Sequence, residues 1–209
     1  MVRMMISFFK DYLKYKKDIK KQTKWINKYA EKQNYDINPN KMISTNLKIW
    51  LSEMEGIYGK RLCPCFDPSG GKENDRAMIC PCVYINEEIK EYGTCHCALF
   101  GKKGLSEADW KASGKRLMKE YRVPLNLKDN VLDTRGMPID KRRNMPIPDA
   151  SHQLKSTLLK YKKDNIKMIV ATEQETFNLK KIAKYKSYDF SSEKISDGHY
   201  CVRLGLKNQ

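Results

Sequence analysis

Residues 61–97 read RLCPCFDPSGGKENDRAMICPCVYINEEIKEYGTCHC and hold six of the chain's seven cysteines. They form three Cys-x-Cys pairs: Cys63/Cys65, Cys80/Cys82 and Cys95/Cys97. A thiolate is a nucleophile, a metal ligand and one half of a redox couple. One metal centre takes four of them, so six in pairs leave two over. Three chemistries compete. Structural zinc uses four ligands, usually in wider pairs, and would leave two thiols idle. Three plain disulfides need an oxidising compartment. The third gives four thiolates to a [4Fe-4S] cluster, which soft sulfur suits, and the other two to a redox-active pair beside it. Pro64 and Pro81 limit backbone freedom inside two of the pairs. His96 lies between two cysteines, and its titration range makes it a candidate proton shuttle.

Flanking elements must position these thiols. Upstream, residues 22–34 place Trp25, Ile26, Tyr29 and Ala30 on one helical face. Residues 41–58 carry a longer stripe of Ile43, Leu47, Trp50, Leu51, Met54 and Ile57, with Pro39 near its start and Gly59 as its C-terminal cap. The segment PSGGKEND between the first two pairs is rich in turn formers. A helix is expected over residues 106–121, with Ser106 as N-cap and Asp109 three residues on. From residue 129 the pattern changes. NVLDTRG reads as a short strand and turn, and a loop with three prolines leads to a helix over DASHQLKSTLLKYKK. A strand (IKMIVAT), a helix (ETFNLKKIAKY) and two strands separated by Asp197-Gly198 complete a βαβαββ order. That order predicts a two-layer α/β sandwich. The fold class expected is therefore α+β, a mainly helical cysteine-bearing domain followed by the sandwich. The expected divisions are a basic helix or tail over 1–21, the cysteine domain over 22–105, a helical linker over 106–127 and the α/β domain over 128–209.

The net charge is +16, and the first 34 residues hold ten Lys/Arg against three acids. Nucleic acid, an anionic membrane or an acidic protein would each answer such a charge, as would plain solvation of a lysine-rich surface. The run MMISFF is too short to span a bilayer and lacks a small-residue cleavage site. The expected location is the cytoplasm, with no membrane partner. Reducing conditions there favour metal binding or catalysis by clustered thiols.

C-P-C, C-P-C and C-H-C in this order resemble the signature of the catalytic (beta) subunit of ferredoxin:thioredoxin reductase. The lead-in KWINKYAEKQNYDINPNKM and the segment GKRLCPC are similar too, and the likeness covers roughly residues 22–105. The gaps of 14 and 12 residues between pairs differ from the plant-type pattern, whose first gap is longer and second shorter. The resemblance implies that Cys63, Cys80, Cys82 and Cys95 ligate one [4Fe-4S] cluster. It implies that Cys65 and Cys97 form the active disulfide, Cys65 being exposed to attack the target and Cys97 lying against the cluster. His96 would handle protons beside them. The implied partners are ferredoxin as electron donor, a thioredoxin-like disulfide protein as acceptor, and the small accessory subunit of the plant-type enzyme. A different reading makes the chain a sulfur-trafficking or tRNA-thiolation accessory that reduces persulfides, and only there is nucleic acid a partner.

Leu132-Asp133-Thr134-Arg135-Gly136 followed by Met145-Pro146-Ile147-Pro148 resembles the TusA/SirA sulfur-carrier family, which has L-D-x-R-G and then C-P-x-P at a helix start. Met145 stands where the carrier cysteine would be, and a thioether forms no persulfide. This implies a domain that has lost sulfur carriage and kept a docking surface. Cys201 is expected as a small core residue, and His152 and His199 as structural side chains.

Overall fold

The computed structural model describes residues 2–65, 68, 75–120, 126–140, 145–146, 150–151, 153–154, 157, 165–195 and 197–206. The chain divides into two compact units. Residues 1–65 with 75–120 make the first, and residues 66–74 with 121–209 the second. The mixed helix-and-strand composition expected from the sequence is present, and among the described residues no helix is long and apolar enough to cross a membrane.

The first unit is mainly helical. Its elements are α1 (Val2–Lys14), α2 (Lys16–Gln33), β1 (Tyr35–Ile37), α3 (Lys41–Tyr58), α4 (Ile85–Tyr92), β2 (Phe100–Lys102) and α5 (Glu107–Glu120). α2 buries Gln22, Ile26 and Ala30, with Trp25 and Tyr29 half-buried beside them, so the expected face is the inner one. The Gln22 amide is fixed within that interior by Glu55 of α3 at 2.9 Å and by the Trp25 indole. α3 starts at Asn40, whose side chain accepts from the backbone amides of Met42 and Ile43, and stops at Gly59 (φ 72°). The N-cap is thus Asn40, one residue after Pro39. The stripe expected on α3 is rotated: Ile43 is exposed, whereas Ser44, Ile49 and Ser52 are buried with Leu47 and Leu51. Ser52 turns its hydroxyl onto the Lys48 carbonyl at 2.8 Å, which satisfies it without a tertiary partner. α5 begins with the expected reciprocal cap. The Ser106 amide donates to Asp109, and the Asp109 amide donates to the Ser106 hydroxyl.

The second unit contains a five-stranded sheet in the order β3-β4-β7-β9-β8. Its strands are β3 (Asn126–Lys128), β4 (Val131–Asp133), β7 (Asn165–Val170), β8 (Tyr188–Lys194) and β9 (Tyr200–Leu206). Among the described strands, only β4 and β7 run parallel. The crossover between them includes helical residues at Ala150, Gln153, Leu154 and Thr157, where the Thr157 hydroxyl donates to the Gln153 carbonyl at 2.8 Å. The helix α6 (Glu173–Lys186) connects β7 to β8 and opens with a capping box between Thr172 and Glu175. One face of the sheet packs Leu132, Ile166, Met168, Val170, Val202 and Leu204 with Ala150, Leu154, Leu179 and Ala183. The β8–β9 hairpin turns at Gly198 (φ 83°), as Asp197-Gly198 predicts.

Two strand features go beyond the expected order. β3 pairs with β4 through a tight turn in which Asp129 and Asn130 both take positive φ. Met145-Pro146 forms a two-residue strand, β6, against β5 (Ile139–Asp140), where the sequence pattern placed a loop with three prolines. Pro148 and His152 lie outside the described residues. Arg135 of the L-D-T-R-G turn forks onto Asp133 through Nε and an amino group, and its other amino group reaches Asp197 at 2.9 Å.

Candidate functional site

The six paired cysteines converge, and all are buried at 3–6% exposure. Short backbone ladders bring them together. The Cys63 amide donates to the Met78 carbonyl and the Cys80 amide to the Arg61 carbonyl, each at 2.7 Å, around an antiparallel bridge between Leu62 and Ile79. This joins the first pair to the second. The third pair is closed by its own hairpin. The Cys95 amide donates to the Phe100 carbonyl at 2.9 Å, and Thr94 bridges Gly101. β2 in turn pairs antiparallel with β1, from Tyr35↔Lys102 to Ile37↔Phe100. The Cys80–Pro81 peptide is cis.

Within this frame the sulfur atoms of Cys63, Cys65 and Cys97 all lie within 4.8 Å of one another. Cys95 Sγ is 3.8 Å from Cys97 Sγ and accepts from the Phe100 amide at 3.3 Å. Cys82 shares a hydrogen bond with Cys63, and Cys80 feels the charges of Cys63 and Cys95. The trio that lies closest thus combines one expected cluster ligand, Cys63, with the two expected disulfide cysteines. Cys65 departs from the expected exposure. It is 3% exposed, because its sulfur turns inward toward Cys63 and Cys97.

Acidity is divided unevenly across the set. Cys63 is held well below the ordinary thiol range by hydrogen bonds from Cys65, Cys82 and Cys97. Cys82 and Cys97 are pushed up mainly because they donate to Cys63, and Cys80 mainly by burial. Four thiolates at such depth need positive charge among them, which a metal centre supplies. The donor set, all sulfur and all buried, fits an iron–sulfur group.

Several side chains around the thiols were not assigned to the site from the sequence. Glu88 of α4 is 1% exposed and accepts from the His96 amide at 2.7 Å, fixing the backbone between Cys95 and Cys97. Asn38 is also buried. Its side-chain amide donates to the Ala98 carbonyl at 2.8 Å and its backbone amide to the Leu99 carbonyl at 3.0 Å. Ala98 itself takes φ 55°, so this clamp holds a tight turn directly after Cys97. Tyr29 of α2 packs edge-on to Phe100, and its hydroxyl pKa is pushed up to about 12 by burial, by Tyr35 and by Cys80, Cys82 and Cys95. Arg61 stacks on Trp25 at 4.5 Å, and its charge favours the thiolate of Cys80. The lead-in helix carries a faint signal for Tyr29 in its i, i+4 relation to Trp25. Glu88 and Asn38 have none, being ordinary polar residues in polar segments.

Cys201 lies on β9 and is buried. As expected of a small core residue it is buried, on the strand face opposite Val202 and Leu204. His199 sits 3.8 Å from Asp197 and 3.4 Å from the Ala171 carbonyl, in the β8–β9 turn region. Neither lies in the thiol cluster.

No curated protein sequence matches the chain. The sequence profile of one protein family does, over residues 13–121, which is just over half of the chain and spans all six clustered cysteines. By that match the chain belongs to the ferredoxin thioredoxin reductase catalytic beta chain family.

Proposed function

We propose that the protein is a disulfide reductase that takes single electrons from ferredoxin and delivers them in pairs to a disulfide on a thioredoxin-like protein. The supporting observation is the convergence of six buried thiols in which Cys63, Cys65 and Cys97 share one 4.8 Å neighbourhood. Cys63, Cys80, Cys82 and Cys95 would hold one [4Fe-4S] cluster, and Cys65 with Cys97 would form the working dithiol. When bound, the cluster supplies one-electron storage beside the dithiol, which bridges a one-electron donor and a two-electron acceptor. The Cys65 thiolate attacks one sulfur of the target disulfide, forming a mixed disulfide and releasing the target's other thiolate. The Cys97 thiolate then attacks Cys65, closing Cys65–Cys97 and releasing the second target thiolate. Two electrons and two protons restore the dithiol. Because Cys65 is buried at rest, the first step includes its turning outward on target docking. His96 is the nearest imidazole in sequence to both thiols and takes the proton-handling role, with Glu88 holding its backbone.

The direction is downhill. A donor near roughly −400 mV and an acceptor near about −270 mV leave about 6 kcal/mol for two electrons. The second unit, with Met145 in place of a carrier thiol, is read as a docking module of the sulfur-carrier type that no longer carries sulfur. The net charge of +16 fits an acidic donor such as ferredoxin, so reduction by ferredoxin should slow markedly as salt is added.

The test is anaerobic purification of the full chain. About four irons per chain are expected, with two thiols becoming alkylatable on reduction. Cys65→Ser and Cys97→Ser should each abolish disulfide reduction while keeping the iron. Zinc in place of iron, or activity retained in either variant, overturns the assignment.

A further inference from the structure

The dithiol chemistry makes no use of α1, yet this helix holds five of the ten large hydrophobic side chains exposed among the described residues. With about 100° per residue, Met5, Ile6, Phe9, Tyr12 and Leu13 fall on one arc of the helix. In most proteins such an arc is buried. Here Met5 is 60% exposed, Ile6 51%, Phe9 59% and Leu13 68%. The side turned inward carries Ser7, Phe8 and Asp11, which are half-buried. The helix therefore packs through its more polar flank and shows its most apolar one. The rise from Met5 to Leu13 gives a ridge roughly 12 Å long.

The ridge is bordered by cations. Lys10 and Lys14 follow Ile6 and Leu13 around the helix. The next helix, α2, sets Lys17, Lys20, Lys24 and Lys28 at helical spacing, all exposed, opposite its buried Gln22, Ile26 and Ala30. Of a second copy of the chain, nucleic acid and an anionic bilayer, only the last engages all of this arrangement. A second copy of the chain would cover the apolar ridge but bring together two segments with ten cations against three acids. Nucleic acid would neutralise the lysines and leave the ridge in water. An anionic bilayer surface takes the apolar side chains at the level of the upper acyl chains and the lysines among the lipid phosphates.

We propose that α1 lies flat on an anionic lipid bilayer, with Met5, Ile6, Phe9 and Leu13 inserted at the interface and the lysines of α1 and α2 paired with headgroups. The run MMISFF, too short to span a membrane, is long enough to lie on one. The protein would then be a peripheral membrane protein, held reversibly at the surface. This holds whether or not the thiol site has the role given above.

The test uses the full chain and sedimentation with phosphatidylcholine vesicles, with and without phosphatidylserine. Binding is expected to the phosphatidylserine vesicles, with much less to phosphatidylcholine alone and a loss on adding salt. Phe9→Ser combined with Leu13→Ser leaves the charge unchanged and should weaken binding by about tenfold or more. These side chains are exposed, so the thermal melt of that variant should match the parent. An independent variant, Phe9→Trp, should show a blue-shifted emission that brominated acyl chains quench. No binding to phosphatidylserine vesicles would overturn the proposal, as would full binding by the double serine variant. So would a dimer in solution that shields the indole introduced by Phe9→Trp from aqueous quenchers, or binding to an acidic protein that the vesicles do not compete away.

Discussion

At the scale of single residues, Asn38 does for the third cysteine pair what no cysteine can do for itself. Cys97 is followed by a turn that passes through positive φ at Ala98, a conformation that is costly for any side chain. Asn38 holds it with a side-chain amide on the Ala98 carbonyl and a backbone amide on the Leu99 carbonyl. Its own side-chain oxygen accepts from the Asn40 amide, so the clamp is itself fixed at the start of α3. Asn38→Ala removes the first of these bonds and leaves a buried carbonyl without that donor, at a cost of about 1–3 kcal/mol. The expected outcome is a lower melting temperature together with faster alkylation of Cys97, the thiol beside the freed turn. An unchanged alkylation rate would show that the turn is held by other means. This clamp was not legible in the sequence, although the cysteines were. A thiol announces itself by type and by a partner two residues away. Asn38 meets Ala98 across 60 positions, and Glu88 meets His96 only because α4 folds back over its own hairpin.

Among the elements, the helix ends were the most legible parts of the fold. Gly59, the Ser106–Asp109 box and the Asp197-Gly198 turn are local devices whose chemistry is complete within a few residues, and each appears where its residues stand. The short strands were not legible. Tyr35-Asp36-Ile37 and Phe100-Gly101-Lys102 carry no readable alternation, and they are strands only because they pair with each other. The sense of α3 was legible, but its facing was not, since Ser44 and Ser52 go inside by bonding their own helix backbone. Within β2, Gly101 is required by packing. A Cβ there would stand 2.6 Å from the Trp110 indole and 2.8 Å from Leu105. The same residue bridges Thr94, next to Cys95. Gly101→Ala should therefore destabilise the first unit by about 1–3 kcal/mol, through overpacking against the rigid Trp110 indole. A fall in the urea midpoint with an altered tryptophan near-ultraviolet signal is the expected result. A midpoint equal to the parent's would mean that Trp110 can move aside.

For the whole molecule, the order of residues along the chain and the membership of the two units do not coincide. Cys65 ends one stretch of the first unit and Asp75 begins the next, while residues 66–74 between them belong to the second unit. The turn-rich PSGGKEND segment could be read as a loop from its composition, but its allegiance could not, because nothing in a Ser/Gly run names the helix that will hold it. The hold is at Pro68, which is buried and whose carbonyl accepts from the side-chain amides of Gln174 and Asn178 of α6, the latter at 2.8 Å. Asn178 is fully buried, so the bond is shielded from water and from competing donors. Only Phe66 and Asp67 separate this anchor from Cys65. Asn178→Ala in the full chain removes the shielded bond and should lower the stability of the second unit by about 1–3 kcal/mol. A lower urea midpoint for that unit is the expected result. A midpoint equal to the parent's would show that the Pro68 anchor adds nothing to the stability of that unit.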